Sequence, residues 1–144
     1  MQHLADVEVY TARSLREALE LLSTGRRLKV MAGGTDLIVQ LKSGALPKAD
    51  LLDISRIDEL RYIRFEDGVL RIGALTTFME IYRSDLVRRH APILSEAAFT
   101  VGSFQIMNKG TIGGNIVNAS PAADSLPPLY ALDAEIVIAG PRGE

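Results

Sequence analysis

Apolar and polar residues change places along this chain in short runs whose period switches between about two and about 3.6. Residues 7–10, Val-Glu-Val-Tyr, alternate as a short strand does. Leu15, Ala18, Leu19 and Leu22 follow at the spacing of one helical face. Ser14-Leu15-Arg16-Glu17 opens that helix as a capping box, and Gly25 is suited to end it. Residues 28–31 predict a second strand, which runs straight into Ala32-Gly33-Gly34-Thr35-Asp36. A short helix is expected over residues 37–42, stopped at Ser43-Gly44, then a buried strand over 51–54 and a turn or single helical turn over 57–60. Residues 62–65 and 69–72 flank Glu66-Asp67-Gly68, a hairpin signal. Thr77-Phe78-Met79-Glu80 is a second capping box, for a helix to about Arg83. Ser84 and Asp85 suit the cap of another helix, and Pro92 the first turn of a third, which runs to about Thr100.

The pattern then changes. Residues 102–128 are rich in Gly, Asn, Ser and Pro and poor in helical period, and irregular segments of that length tend to be functional. Beyond them, Asp124 is expected to cap a helix through Leu132, residues 135–139 read as a strand, and Gly140-Pro141-Arg142-Gly143 reads as a turn. A strand and turn with no return strand give the expectation of a truncated domain.

Composition narrows the chemistry. A chain of 144 residues, 47% hydrophobic and 24% charged, is within the size of one globular domain. Its net charge of −2 and scattered Lys and Arg argue against a nucleic-acid surface. With no cysteine, disulfides, thiol nucleophiles and iron–sulfur ligation by this chain are excluded. His3 and His90 lie far apart, and no His/Glu cluster has metal-ligand spacing. Neither a signal peptide nor a membrane-length apolar stretch is visible, so the expected address is the cytoplasm.

Two paired glycines stand out, Gly33-Gly34 and Gly113-Gly114. Without Cβ atoms, such a pair lets consecutive backbone N–H groups converge on an anion, and Thr35 and Thr111 set a hydroxyl beside each pair. Two such loops suit the two sides of one diphosphate. A single pair is more often a simple turn. Neither pair completes a G-x-G-x-x-G fingerprint, and no P-loop is present. Asp36 and Asp124 are candidates to accept hydrogen bonds from sugar hydroxyls, and both read equally as helix caps. Asn115, Asn118 and Ser120 are polar groups of the second loop, with the alternative role of satisfying its own backbone. There is no nucleophile–base pair, so redox chemistry would have to come from a bound cofactor.

The run from Thr111-Ile112-Gly113-Gly114-Asn115 through Asp124 resembles the FAD-binding medium subunit of molybdenum hydroxylases, the family of xanthine dehydrogenase and aerobic carbon monoxide dehydrogenase. Ala32-Gly33-Gly34-Thr35-Asp36-Leu37 resembles that family's first flavin loop, and Val101-Gly102-Ser103-Phe104-Gln105-Ile106 the lead-in to its second. The resemblance covers nearly the whole chain. It implies an α+β, two-subdomain FAD-binding fold of the PCMH type, with residues 1–56 as the first subdomain and 57–144 as a partial, truncated second one. It implies that Lys29, Val30, Met31, Ala32, Gly33, Gly34, Thr35 and Asp36 wrap the diphosphate from one side, and that Thr111, Gly114 and Asn115 hold it from the other. Val101 and Gly102 would approach the flavin by backbone, and Asp124 would bond to sugar hydroxyls. No residue of the chain is expected to be catalytic or to bind metal. The implied partners are an iron–sulfur subunit and a molybdenum-cofactor subunit, with electrons passing from the clusters through FAD to NAD or another acceptor. The competing expectation is a non-catalytic scaffold or assembly piece that keeps the fold and holds no flavin.

Overall fold

The computed structural model describes residues 7–47 and 49–143. His3 therefore lies outside the described residues. The chain divides into two compact units, Met1–Glu59 with Ile136–Glu144, and Leu60–Glu135.

In the first unit, β1 (Val9–Thr11), α1 (Leu15–Leu22), β2 (Leu28–Met31), α2 (Leu37–Ser43) and β3 (Asp50–Asp53) follow in chain order. The strands form one parallel sheet in the order β1-β3-β2. The two crossovers run in opposite lateral directions, so right-handed connections set α1 and α2 on opposite faces. Adjacent Leu51 and Leu52 of the central strand point to those two faces, and they are only 3% and 0% exposed. The Ser14 hydroxyl accepts from the Glu17 N–H, while the Glu17 carboxylate takes the N–H of Arg13 rather than that of the cap, so the expected box is offset by one residue. Gly44 ends α2 at φ 75°, the left-handed stop expected there.

Residues 135–139 do not form the expected strand. They carry a β-branched apolar run, Ile136-Val137-Ile138, but among the described residues no neighbour supplies a ladder, and all three remain exposed. The turn beyond them does form, closed by paired backbone bonds between Gly140 and Gly143.

The second unit opens with an antiparallel hairpin of β4 (Ile63–Glu66) and β5 (Val69–Ile72). Asp67 and Gly68 at its tip take φ of 52° and 77°, the geometry that matches strand twist in a two-residue turn. Six helices follow: α3 (Phe78–Arg83), α4 (Asp85–His90), α5 (Pro92–Phe99), α6 (Phe104–Met107), α7 (Ile112–Asn118) and α8 (Leu126–Ala131). Phe78, Ile81, Val87, Leu94, Met107 and Ile112 form their core, with Ile63, Leu70 and Ile72 of the hairpin packed against it. Full burial of such a side chain contributes about 1.5–3 kcal/mol each. The Thr77 capping box is complete. The Glu80 carboxylate accepts from the Thr77 N–H at 2.8 Å, and the Thr77 hydroxyl accepts from the Glu80 N–H at 3.3 Å.

Two helices, α6 and α7, occupy the stretch expected to be irregular. Paired glycines cost a helix about 1 kcal/mol each, so local propensity argued against α7. Tertiary bonds to its first turn override that cost. Asp124 does not cap α8; the N-cap position belongs to Ser125, which makes no side-chain cap bond.

Candidate functional site

The first glycine loop leaves the edge strand β2, where Lys29 and Val30 are exposed and Met31 is half-buried. Ala32, Gly33, Gly34 and Thr35 are half-buried, and Asp36 is exposed at the start of α2. Gly34 sits at φ +72°, and a Cβ there would lie 3.2 Å from Ile38 Cγ1. The backbone conformation disfavours any other residue, and the Ile38 side chain would have to give by a few tenths of an ångström. Among the described residues, the N–H groups of Gly33, Gly34, Thr35 and Asp36 have no acceptor, although the Gly34 carbonyl accepts from Ile38 and the Asp36 carbonyl from Gln40. Four successive donors are thus left for an outside acceptor. The capping alternative for Asp36 fails. It occupies the N-cap position of α2 without a side-chain cap bond, and its carboxylate has no partner among the described residues.

The second loop is built in the opposite way. Every N–H of its glycine run is engaged inside the unit. Ile112 donates to the Thr76 carbonyl at 3.0 Å and Gly113 to the Ala74 carbonyl at 2.9 Å. Gly114 donates to the Thr111 hydroxyl oxygen at 3.1 Å, and Asn115 to the Thr111 carbonyl at 3.0 Å. The expected backbone nest is therefore absent here, because the sequence folds these residues into the capped first turn of α7. What remains is a set of side-chain donors. The Thr111 oxygen accepts from Gly114 and keeps its own proton to give, and Asn115 accepts from the buried Ser125 hydroxyl through Oδ1, leaving its NH2 group. Gly114 is exposed, and a Cβ on it would meet only the Thr111 hydroxyl within 4 Å.

Val101 is buried and Gly102 exposed, between α5 and α6, with Gly102 at φ +56°. Asp124 is half-buried just before α8, and its carboxylate has no partner among the described residues. Of the candidates, Thr111, Gly114 and Asn115 come together in one turn, and Ala32 to Asp36 in another. Two surface clefts, of about 690 and 320 Å³, are lined by none of them. Among the described residues, no three His, Asp or Glu side chains are grouped to hold a metal ion, and no helix is long and apolar enough to cross a membrane.

The sequence reading missed the residues that hold the second loop. The chain at 73–76 takes the Ile112 and Gly113 N–H groups, and Phe78 donates to the Gly110 carbonyl at 3.1 Å. Thr77, beside it, is fixed by the Glu80 box and by the Arg61 guanidinium, which donates to Glu80 at 2.8 Å. Burial pushes the Glu80 carboxyl up, but the Thr77 N–H, the Arg61 guanidinium and the Thr77 hydroxyl outweigh it and hold the group below its ordinary 4.5. A Gly-Ala pair directly after a hairpin strand was the available signal.

Comparison with known proteins gives a consistent picture. Residues 5–144 match the family model described as the FAD binding domain in molybdopterin dehydrogenase. The chain is 40% identical over 135 residues to the xanthine dehydrogenase FAD-binding subunit of Escherichia coli O157:H7, covering 93% of this chain and 46% of that protein. It is 38% identical over 142 residues to the nicotinate dehydrogenase FAD-subunit of Eubacterium barkeri, covering 97% and 48%. The solved structure of Cu,Mo-CO dehydrogenase in its cyanide-inactivated form superposes with a TM-score of 0.90 at 32% identity, covering 95% of this chain and 48% of that chain. The chain spans about half the length of the relatives it matches.

Proposed function

We propose, for a chain that belongs to the FAD-binding domains of molybdopterin dehydrogenases, that it helps to hold FAD in the flavin subunit of a molybdenum hydroxylase or dehydrogenase complex. The observation that carries this reading is the row of four N–H groups from Gly33 to Asp36, unengaged among the described residues, behind a strand and including a glycine at φ +72°. Consecutive backbone donors of this kind suit a phosphate group. In this reading Lys29 to Asp36 line the diphosphate by backbone. Thr111 and Asn115 contribute a hydroxyl and an amide, while Gly114 leaves room beside them. Asp36 and Asp124 accept from sugar hydroxyls, and Val101 and Gly102 meet the flavin through their backbone.

When bound, FAD supplies the redox chemistry. The chain's own residues bind and orient it. The complex would pair this subunit with an iron–sulfur subunit and a molybdenum-cofactor subunit in the cytoplasm, and FAD would take electrons from the clusters and pass them to NAD or another acceptor. A second reading, a scaffold piece that holds no flavin, is favoured by one observation: the N–H groups of Ile112 to Asn115 are all engaged internally.

The test is to purify the full-length protein with excess FAD, desalt it, and record the visible spectrum. A flavin band near one equivalent is expected. A colourless protein with native secondary structure would favour the scaffold.

A further inference from the structure

The two glycines of the second pair are not equivalent. A Cβ built on Gly113 would lie 2.7 Å from the Ala74 carbonyl oxygen, 2.8 Å from Ala74 Cβ and 3.1 Å from Ala74 Cα. Two of these are backbone atoms, so the side chain cannot simply swing aside. The Gly113 N–H bonds to that same carbonyl at 2.9 Å. On either side, Ile112 donates to Thr76 and Phe78 donates to Gly110, and Thr77 and Thr111 face each other as an antiparallel bridge. The loop is thus laid backbone against backbone on residues 74–78. That chain is seated in turn on residues 60–62: Gly73 donates to Tyr62 and Leu75 to Leu60, each at 2.8 Å, and a Cβ on Gly73 would lie 2.3 Å from the Leu60 carbonyl oxygen. Gly114 has no such neighbour. Its single close atom, the Thr111 hydroxyl at 2.9 Å, belongs to a side chain, which gives way only by loosening its cap bond from the Gly114 N–H.

We propose that residues 73–76 are the seat that positions the second loop for its ligand, with Gly113 the docking glycine and Ala74 its partner, while Gly114 alone keeps space for the ligand. The proposal rests on the FAD reading above. Gly113 and Ala74 act as positioning residues. They touch the loop and leave the cofactor to Thr111, Gly114 and Asn115. A Cβ at position 113 would lift the loop from the seat and carry the Thr111 hydroxyl and the Asn115 amide out of place together.

The test compares Gly113→Ala, Gly114→Ala, Ala74→Gly and the double variant Ala74→Gly/Gly113→Ala in the full-length protein, by thermal melting without FAD and by FAD titration. Gly113→Ala is expected to lower Tm by several degrees and weaken FAD binding roughly tenfold or more, the effect of overpacking a closed contact. The double variant removes the Cβ–Cβ contact at 2.8 Å but leaves the carbonyl contact at 2.7 Å, so it is expected to recover only a small part of both losses and of the visible circular dichroism of the bound flavin, which a merely destabilised but correctly seated loop would not change. Ala74→Gly keeps the carbonyl that takes the Gly113 N–H but frees the backbone of the seat, and is expected to lower Tm by less than Gly113→Ala does. Gly114→Ala is expected to weaken FAD with little change in Tm. Should Gly113→Ala prove insoluble, Gly73→Ala, whose Cβ would meet the Leu60 carbonyl beneath the seat, reads the same device: a lowered Tm with weakened FAD supports the seat, and unchanged FAD binding at a lowered Tm overturns it. Loss of FAD in Gly113→Ala at unchanged Tm would overturn the proposal, making Gly113 a ligand contact. A parent protein that binds no FAD would defeat the functional reading while the melting data still judge the seat.

Discussion

The two Gly-Gly pairs look alike in sequence and are built as opposites. Among the described residues the pair at 33–34 keeps its N–H groups unengaged, and the Gly34 carbonyl accepts from Ile38 within the same short segment. The pair at 113–114 turns its N–H groups inward, to Ala74 and Thr111, and leaves hydroxyl and amide side chains as donors. The first offers backbone donors; the second offers side-chain donors carried on a backbone clamp. A glycine pair therefore specifies closeness of approach, and the surrounding chain decides what approaches.

The largest effect should come from Gly34→Val. The positive φ strains a β-branched residue and the Ile38 side chain would have to shift, so the row of donors should be rearranged and FAD retention lost in the visible spectrum. If the variant retains a full equivalent, the first loop is only a turn and the contrast fails.

Asn115→Ala tests the other side. Losing the amide should weaken FAD binding by about tenfold, and it also strips the buried Ser125 hydroxyl of its acceptor, at a stability cost of about 1–3 kcal/mol. Titration and melting read the two effects separately. Unchanged affinity in a destabilised protein would reduce Asn115 to a structural partner of Ser125.

The smallest effect concerns the clamp. The Glu80 carboxyl is held below its ordinary 4.5 in the folded chain, so its interactions with Thr77 and Arg61 add stability that is fully present above that value and is lost as pH falls through the folded pKa. Glu80→Gln should therefore melt lower than the parent at about pH 7, with the gap closing as pH drops below 4.5. A gap independent of pH would mean that the carboxyl charge does not hold Thr77.

What the sequence made legible follows the same division between local and distant causes. The hairpin at Asp67-Gly68, the Thr77 box, Pro92 at the head of α5 and the Gly44 stop are each determined within about four residues, and each is found where it was expected. Ala32 to Asp36 lie in one turn and Thr111, Gly114 and Asn115 in another, while Val101, Gly102 and Asp124 lie outside both. The seat at 73–76 was not legible, because Gly73 and Gly113 are glycines on account of carbonyls 13 and 39 residues away, at Leu60 and Ala74. The same holds for α7, a helix with paired glycines that exists through bonds to Ala74 and Thr76. Conversely, the β-branched run at 136–138 is a local pattern without, among the described residues, the partner that a strand requires.

The hairpin tip opens a practical route. Glu66 is exposed beside a turn in which Gly68 has no neighbour within 4 Å of a would-be Cβ, and the chain contains no cysteine. Glu66→Cys would therefore place a unique thiol of this chain on a short, twist-matched ribbon. A donor dye attached there, with emission overlapping flavin absorption, turns cofactor occupancy into quenching by energy transfer. Binding and release at the two loops could then be timed in solution without altering either of them.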